Sequence, residues 1–175
     1  MGLIRRPLPV KLIIGFIFKD PTVLSKAENF LKRRFGQTDL ESQILPFTYT
    51  DYYERELGKP LEKKFISFKK LIPPESLPKI KAITNEIEKK FSAQGRRSIN
   101  IDPGYVDLSK LVLASTKDFS HRIYVGRGIY SEVTLVYQDK TFNPKEWTYP
   151  DYRSPEYIAI FNKIRQLYAE QIRKQ

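Results

Sequence analysis

The sequence predicts a single α+β domain over residues 1–175, in which an antiparallel β-sheet packs against amphipathic helices. Apolar residues run without interruption from Val10 to Phe18, which is typical of a central strand covered on both faces. Two segments with helical apolar spacing are separated by two strand-like segments. The chain has 175 residues, of which 41% are hydrophobic, so it can bury a core without disulfides or metals.

The first helix and the two strands after it follow from local signals. Asp20 and Pro21 predict the start of the helix, and Gly36 predicts its end. Alternating apolar residues predict strands over Ser42–Thr50 and Lys63–Lys70, the first of them an edge or bulged strand because it contains a proline.

A second helix and a fourth strand complete a recognisable pattern. Prolines from Pro73 onward open the helix, and Gly95 ends it. A strand through Ile101 is expected to end in the turn Asp102-Pro103-Gly104. The order β-α-β-β-α-β over about residues 8–101 is the ferredoxin-like arrangement, an antiparallel sheet with two helices on one face.

Residues 102–175 are expected to extend this core. Asp107 is placed to cap a short helix that runs to Val112. Gly126-Arg127-Gly128 lies between two alternating segments and predicts a β-hairpin. Ser154 followed by a proline predicts the start of a C-terminal helix.

Charge and cysteine content limit the classes of function. The formal charge is +11, from 31 basic and 20 acidic residues, which favours an anionic partner. Most of the excess, +9, lies before residue 98, whereas residues 98–153 carry seven charges of each sign. The chain has no cysteine, which excludes disulfides, a thiol nucleophile and Cys-based metal sites. The apolar run near the N-terminus is shorter than the about 20 residues of a membrane span, so we expect a cytoplasmic protein with no membrane partner.

Known cofactor signatures are missing from the sequence. There is no G-x-x-x-x-G-K-[ST] phosphate loop, no G-x-G-x-x-G after the first strand, and no H-E-x-x-H. His121 is the only histidine, which excludes any site that needs two imidazoles. The sequence therefore names no cofactor.

Polar side chains concentrate between Asn100 and Arg153, and three of them are candidates for catalysis. Asp102 and His121 would transfer protons, and Glu132 would join them in a set suited to a divalent metal. The structural alternatives stay open: Asp102 as a turn residue, His121 as a packing histidine at the rim of the core beside Ile123 and Val125, and Glu132 on a solvated strand face.

Further residues are candidates for ligand binding. Guanidinium and ammonium groups would bind phosphates, and tyrosine rings would stack on a base. Two similar segments, Tyr49-Thr-Asp51-Tyr52 and Tyr149-Pro-Asp151-Tyr152, contribute some of these residues. The candidates are Lys110, Arg122, Arg127, Asp51, Tyr52, Asp151, Tyr152 and Arg153.

Seven stretches between residues 47 and 153 are distinctive: Phe47-Thr-Tyr-Thr-Asp-Tyr-Tyr53, Lys64-Phe-Ile-Ser-Phe68, Asn100-Ile-Asp-Pro-Gly-Tyr105, Leu108-Ser-Lys-Leu-Val-Leu-Ala-Ser-Thr116, Ser120-His-Arg-Ile-Tyr-Val-Gly126, Gly128-Ile-Tyr-Ser-Glu132 and Trp147-Thr-Tyr-Pro-Asp-Tyr-Arg153. They resemble one prokaryotic family, Domain of Unknown Function family 4416, and the resemblance covers nearly the whole chain. Members are often labelled "GTP-binding protein", although no guanine-nucleotide motif is visible here. The resemblance implies no established activity. Its stretches coincide with the polar side chains between Asn100 and Arg153, and this favours a ligand or catalytic site among them.

Three hypotheses about function follow from the sequence. The first is a protein that binds, or acts on, a small anionic ligand that is phosphorylated or nucleotide-like. The second is a structural or interaction protein. The third is an RNA-binding module, since RNA-recognition domains share the ferredoxin-like layout, although their characteristic aromatic motif is missing. The sequence leaves open whether the protein is an enzyme and what its oligomeric state is.

Overall fold

The computed structural model describes residues 2–174, which form one nine-stranded antiparallel sheet and four α-helices. The strands are β1 (Lys11–Phe18), β2 (Thr38–Glu41), β3 (Leu45–Pro46), β4 (Glu62–Phe68), β5 (Ile99–Val106), β6 (Lys110–Ser115), β7 (Ile123–Gly126), β8 (Ile129–Gln138) and β9 (Thr141–Pro144). The helices are α1 (Pro21–Phe35), α2 (Glu54–Leu57), α3 (Leu77–Lys90) and α4 (Pro155–Ile172). The strand order is β2-β4-β1-β5-β6-β8-β7, with β3 beside β4 and β9 beside β8.

Helices cover both faces of the sheet around β1. Leu12 and Phe16 pack into a core with α1 and α3 on one face. Ile13 packs on the other face, in a core with Phe161 of α4. Because successive strand residues point to opposite faces, every position of β1 is buried, and the prediction of a central strand covered on both sides is confirmed.

The predicted helix signals act as expected. The Asp20 carboxylate accepts a hydrogen bond from the Thr22 backbone N–H at 2.7 Å, and Gly36 ends α1 with a φ of 98°. Ser154 caps α4 by accepting from the Tyr157 N–H. These caps place the first turn of α4, and the loop before it, over the sheet.

The sheet is larger than the four-stranded one that the sequence predicts, because the second half of the chain continues it. The predicted short helix from Asp107 to Val112 is wrong. Asp107 accepts backbone hydrogen bonds from Ser109 and Lys110 in a tight turn, and β6 starts there. The four residues from Leu111 to Ala114 are all buried, which is the pattern of a strand covered on both faces.

Two other local predictions are also wrong. Asp102-Pro103-Gly104 is not a turn, since β5 runs straight through it and Asp102 pairs with Gly15 of β1. A Cβ at Gly104 would lie 2.4 Å from the Val112 carbonyl oxygen, so only glycine allows β6 to approach this closely. In place of the strand predicted over Ser42–Thr50, β2 precedes a two-residue β3.

The hairpin prediction is confirmed. β7 and β8 are joined at Arg127 and Gly128, which have φ values of 59° and 71° as a two-residue hairpin turn requires. A second hairpin joins β8 to β9, with positive φ at Asp139 and Lys140, and was not predicted. Of the helices described, none combines the length and the apolarity that a membrane crossing requires.

Candidate functional site

A cavity of about 830 Å³ opens where β5 and β6 diverge. These strands pair only from Gly104 to Val106, so the first half of β5 pairs with β1 alone. Side chains from α3, from the segment 47–53 and from the turn before α4 close the space. The volume lies in the range of about 300–1,000 Å³ that is typical of small-molecule sites.

The deepest part of the cavity, which we call the floor, consists of Lys63, Asp151 and Tyr152. Lys63 is 1% exposed, and its Nζ lies 3.6 Å from the Asp151 carboxylate. The same Nζ lies 5.1 Å from the ring centroids of Phe65 and Tyr152 and 5.6 Å from that of Phe47. The buried Tyr152 hydroxyl has no hydrogen-bond partner among residues 2–174. The floor therefore combines a buried cation and a buried carboxylate with aromatic rings.

Asp102 lies beside the floor and is held from two sides. Lys81 of α3 donates to its Oδ1 at 3.1 Å and to the Ile101 carbonyl at 3.1 Å, and Asn100 donates to its Oδ2 at 2.6 Å. Burial disfavours the charged form, but the Lys81 and Lys63 charges and these hydrogen bonds outweigh it, so the pKa of Asp102 lies below its usual value. Asp102 is a carboxylate at neutral pH and acts as an acceptor.

Arg97 supports this side of the cavity. It donates to the Asn100 side-chain oxygen at 2.9 Å and to the carboxylates of Glu88 at 3.1 Å and Glu56 at 2.7 Å. Burial raises the pKa of Glu88 above its usual value. The nearby Lys81 charge lowers this pKa, but its effect is smaller than that of burial. Because Arg97 fixes the Asn100 oxygen, the Asn100 amide nitrogen is directed at Asp102.

The opposite wall is built on the buried ion pair of Arg122 and Glu132. The Arg122 Nε donates to Glu132 at 2.7 Å, and both side chains are almost fully buried. The guanidinium also donates to the Ser115 hydroxyl at 2.8 Å, the Lys117 carbonyl at 3.0 Å and the Tyr149 hydroxyl at 2.5 Å. One side chain therefore joins three separate segments of the wall.

His121 supports the wall from outside the cavity lining. Its Nε2 lies 3.1 Å from Glu132, and its ring stacks on Trp147 at 5.6 Å with an interplanar angle of 10°. The interpretation of Glu132 as a solvated residue is wrong, because the side chain points inward. Ile123 and Val125, which were placed next to the core with His121, are exposed on the edge strand β7.

The cavity lining combines aromatic rings with charged groups. Its aromatic residues are Phe47, Tyr49, Tyr52, Tyr53, Phe119, Tyr149 and Tyr152. Its cations are Lys63, Lys81, Lys89, Arg97, Lys117 and Arg122, and its carboxylates are Glu88, Asp102, Glu132 and Asp151. The lining thus offers flat apolar surface together with two more positive than negative charges.

The structure brings together about half of the residues proposed from the sequence. Those that line the cavity are Asp102, Arg122, Glu132, Tyr52, Asp151 and Tyr152, with His121 in contact behind them. The exposed Asp51 lies between lining residues without being one. Lys110 pairs with Asp107 in a turn, Arg127 is at the tip of the β7–β8 hairpin, and Arg153 donates to backbone carbonyls of its own loop.

The divalent-metal set proposed from the sequence does not come together. Asp102 is engaged by Lys81 and Asn100, whereas Glu132 contacts His121 and Arg122. Within residues 2–174, no group of three or more His, Asp or Glu side chains is placed to hold a metal ion.

Sequence reasoning missed the lysines. Lys63 has the same strand phase as the buried Phe65, and Lys81 follows the buried Leu77 at helical spacing, so both occupy core-facing positions. A charged residue at a core position was the available signal. Arg97 and Lys117 lie outside regular elements, and nothing in their sequence context points to the cavity.

Comparison with known proteins gives a family and no characterised relative. No curated protein matches the chain, and no solved structure does. A family model described as "Domain of unknown function (DUF4416)" matches residues 8–168, which is most of the chain and includes every residue that lines the cavity. The chain belongs to the DUF4416 family.

Proposed function

We propose that this protein binds a small anionic ligand that carries a flat ring, of the nucleotide-like class, in the cavity between β5 and β6. The observation that carries the proposal is the lining itself, in which seven aromatic side chains accompany an excess of cations. Aromatic faces stack on heterocycles, and ammonium or guanidinium groups attract phosphates. A volume of about 830 Å³ accommodates a ligand of that size.

The arrangement supports binding more directly than proton transfer. Each carboxylate of the lining is paired with a cation, and the pKa of Asp102 is lowered, so Asp102 carries no proton to donate at neutral pH. Paired groups of this kind fix the position of a ligand through hydrogen bonds of defined direction. Binding is therefore the function we assign.

The position of α4 also distinguishes this proposal from RNA binding. We take the order β2-β4-β1-β5, with α1 and α3 on one face, as a ferredoxin-like unit within the larger sheet. RNA-recognition domains of that layout stack bases on the open face of the sheet. Here α4 packs on that face, against Ile13 and Phe65, so the surface that such domains use is covered.

A thermal-shift screen followed by calorimetry tests the proposal. Nucleosides, nucleotides and sugar phosphates are compared with inorganic phosphate, and a ligand of the proposed class raises the melting temperature in a concentration-dependent way. A large residue at the exposed Thr116, which lines the cavity, obstructs the entrance, so Thr116→Trp abolishes the shift. Thr22→Trp, an exposed position outside the lining, is the matched control and retains it.

Three results would contradict the proposal. One is the absence of a shift with every phosphorylated ring compound. Another is a shift that survives in Thr116→Trp, which places binding elsewhere. The last is tight binding of RNA that weakens steeply with salt and is not competed by mononucleotides, which would favour the RNA-binding alternative.

A further inference from the structure

The charges that line the cavity are unevenly paired. Four cations contact four carboxylates of the same lining, in the pairs Lys63–Asp151, Lys81–Asp102, Arg97–Glu88 and Arg122–Glu132. The positive excess therefore comes from the remaining two, Lys89 and Lys117, which are both exposed. The deep part of the cavity is close to neutral, and its entrance is positive.

Lys117 is the better placed of the two to meet an anion. Its Nζ donates to the Tyr52 hydroxyl at 3.1 Å and lies 4.4 Å from the centroid of the Tyr52 ring. Lys89 instead contacts Glu86 at 2.7 Å, so part of its charge is already matched. Lys117, whose ammonium group contacts Tyr52, therefore places a positive charge at the entrance, where a bound phosphate would stay in contact with water.

The floor has the opposite character. A phosphate placed against Lys63 would lie beside the buried Asp151 carboxylate, and repulsion between two anions in a desolvated site is costly. An uncharged ring edge that carries a donor next to an acceptor meets no such repulsion. Its acceptor can bind Lys63, and its donor can bind Asp151.

We propose that the ligand enters ring first, with the polar edge of a heterocycle bound by Lys63 and Asp151 and its anionic group held at the entrance by Lys117. This inference rests on the proposed function and adds to it the orientation of the ligand and the residues that select its ring. The floor distinguishes one heterocycle from another, and the entrance contributes affinity for the phosphate.

Calorimetric titrations of four nucleosides and their 5′-monophosphates, with adenine, guanine, cytosine or uracil as the base, test the orientation. Lys117→Met lowers the affinity for monophosphates by about tenfold, the usual loss of one charged contact, and leaves nucleoside affinity unchanged. Asp151→Asn keeps one acceptor oxygen and replaces the other by an N–H donor, so it changes the preference among bases by about tenfold. Lys163→Met, at an exposed position of α4 outside the lining, is the control.

Two results overturn the inference while the proposed function stands: Asp151→Asn that leaves the preference among bases unchanged, which places the ring away from the floor, or Lys117→Met that leaves the monophosphate-to-nucleoside ratio unchanged. If the unmodified protein binds none of these compounds, the proposed function and the inference fail together, a result distinct from the other two.

Discussion

Replacing Arg122 by methionine is the most informative perturbation of the wall. Arg122 and Glu132 are 2.7 Å apart with side chains 1% and 2% exposed, so neither charge is solvated. The change removes the guanidinium and leaves the Glu132 carboxylate buried with His121 and the Thr134 hydroxyl as its polar contacts. Removing one partner of a buried ion pair costs about 3–5 kcal/mol in the free energy of unfolding.

A double replacement separates the buried charge from the lost contacts. Arg122→Met with Glu132→Leu removes both charges, and such apolar replacements of a buried pair are often close to neutral. The Ser115 and Tyr149 hydroxyls and the Lys117 carbonyl lose the guanidinium in both variants, so this loss cancels when the two are compared. The double variant should therefore be more stable than Arg122→Met by about 1–3 kcal/mol.

Urea denaturation measures these differences, with unchanged m-values as the check that unfolding stays two-state. Arg33→Met, at an exposed position of α1, is the control and should alter stability by less than about 0.5 kcal/mol. The reasoning is refuted if Arg122→Met costs less than about 1 kcal/mol, or if the double variant is no more stable than the single one.

Three further predictions concern single residues. Tyr152→Phe should leave the ligand-free protein as stable or up to about 1 kcal/mol more stable in urea, because the lost hydroxyl is buried without a partner. Gly104→Ala should lower the free energy of unfolding by about 3 kcal/mol, since its Cβ would lie 2.4 Å from the Val112 carbonyl oxygen. Gly95→Ala, which has open space around it and a φ of 75°, is the control and should lower it by about 1 kcal/mol. Equal losses in the two variants would contradict this explanation. A hydrogen bond from Lys32, followed by those from Thr38 and Lys64, outweighs the opposing effect of burial and lowers the pKa of Glu41 from 4.5 to about 2. The ionised Glu41 side chain therefore contributes its full stabilisation above pH 4.5, and this stabilisation is lost as the pH falls to about 2. Glu41→Gln should therefore cost about 1 kcal/mol at pH 7, a small value because the carboxylate is 36% exposed, and should match the unmodified protein near pH 2 in the same assay.

Elements with strong local signals were predicted correctly from the sequence. The caps at Asp20 and Ser154 fix where α1 and α4 begin, because a side-chain oxygen satisfies a backbone N–H that has no helical partner. The central strand β1 was predicted because burial on both faces leaves an unbroken apolar run. Each of these signals lies within a few residues of the element that it specifies.

Elements that depend on distant partners were predicted wrongly. The run from Leu111 to Ala114 fits a buried helix as well as a buried strand, and only pairing with β5 and β8 decides between them. Asp102-Pro103-Gly104 has the composition of a turn, but pairing with β1 keeps it extended. Local propensity is weaker than a ladder of hydrogen bonds on a central strand.

About half of the candidate site was predicted, because the remaining residues are brought to it by contacts between distant parts of the chain. Asp151 and Tyr152 were found because polar residues cluster in their loop, whereas Lys63 was predicted only as the start of a strand and not as a site residue. Lys63 is buried because the turn before α4, almost ninety residues later in the chain, covers it. No signal close to Lys63 in the sequence records that contact.

The paired charges of the cavity are consistent with the proposed binding role. The net charge of +11 lies mostly outside the site, and the segment 98–153 that supplies much of the lining is charge-balanced. Buried ion pairs are weak contributors to stability, since apolar residues of similar volume often serve folding as well or better. In this cavity the pairs Lys63–Asp151 and Arg122–Glu132 are buried on both sides, whereas Asp102 and Arg97 keep more than a quarter of their side chains exposed. All four pairs provide donors and acceptors in fixed directions, the property by which the proposed binding would select one ligand over another.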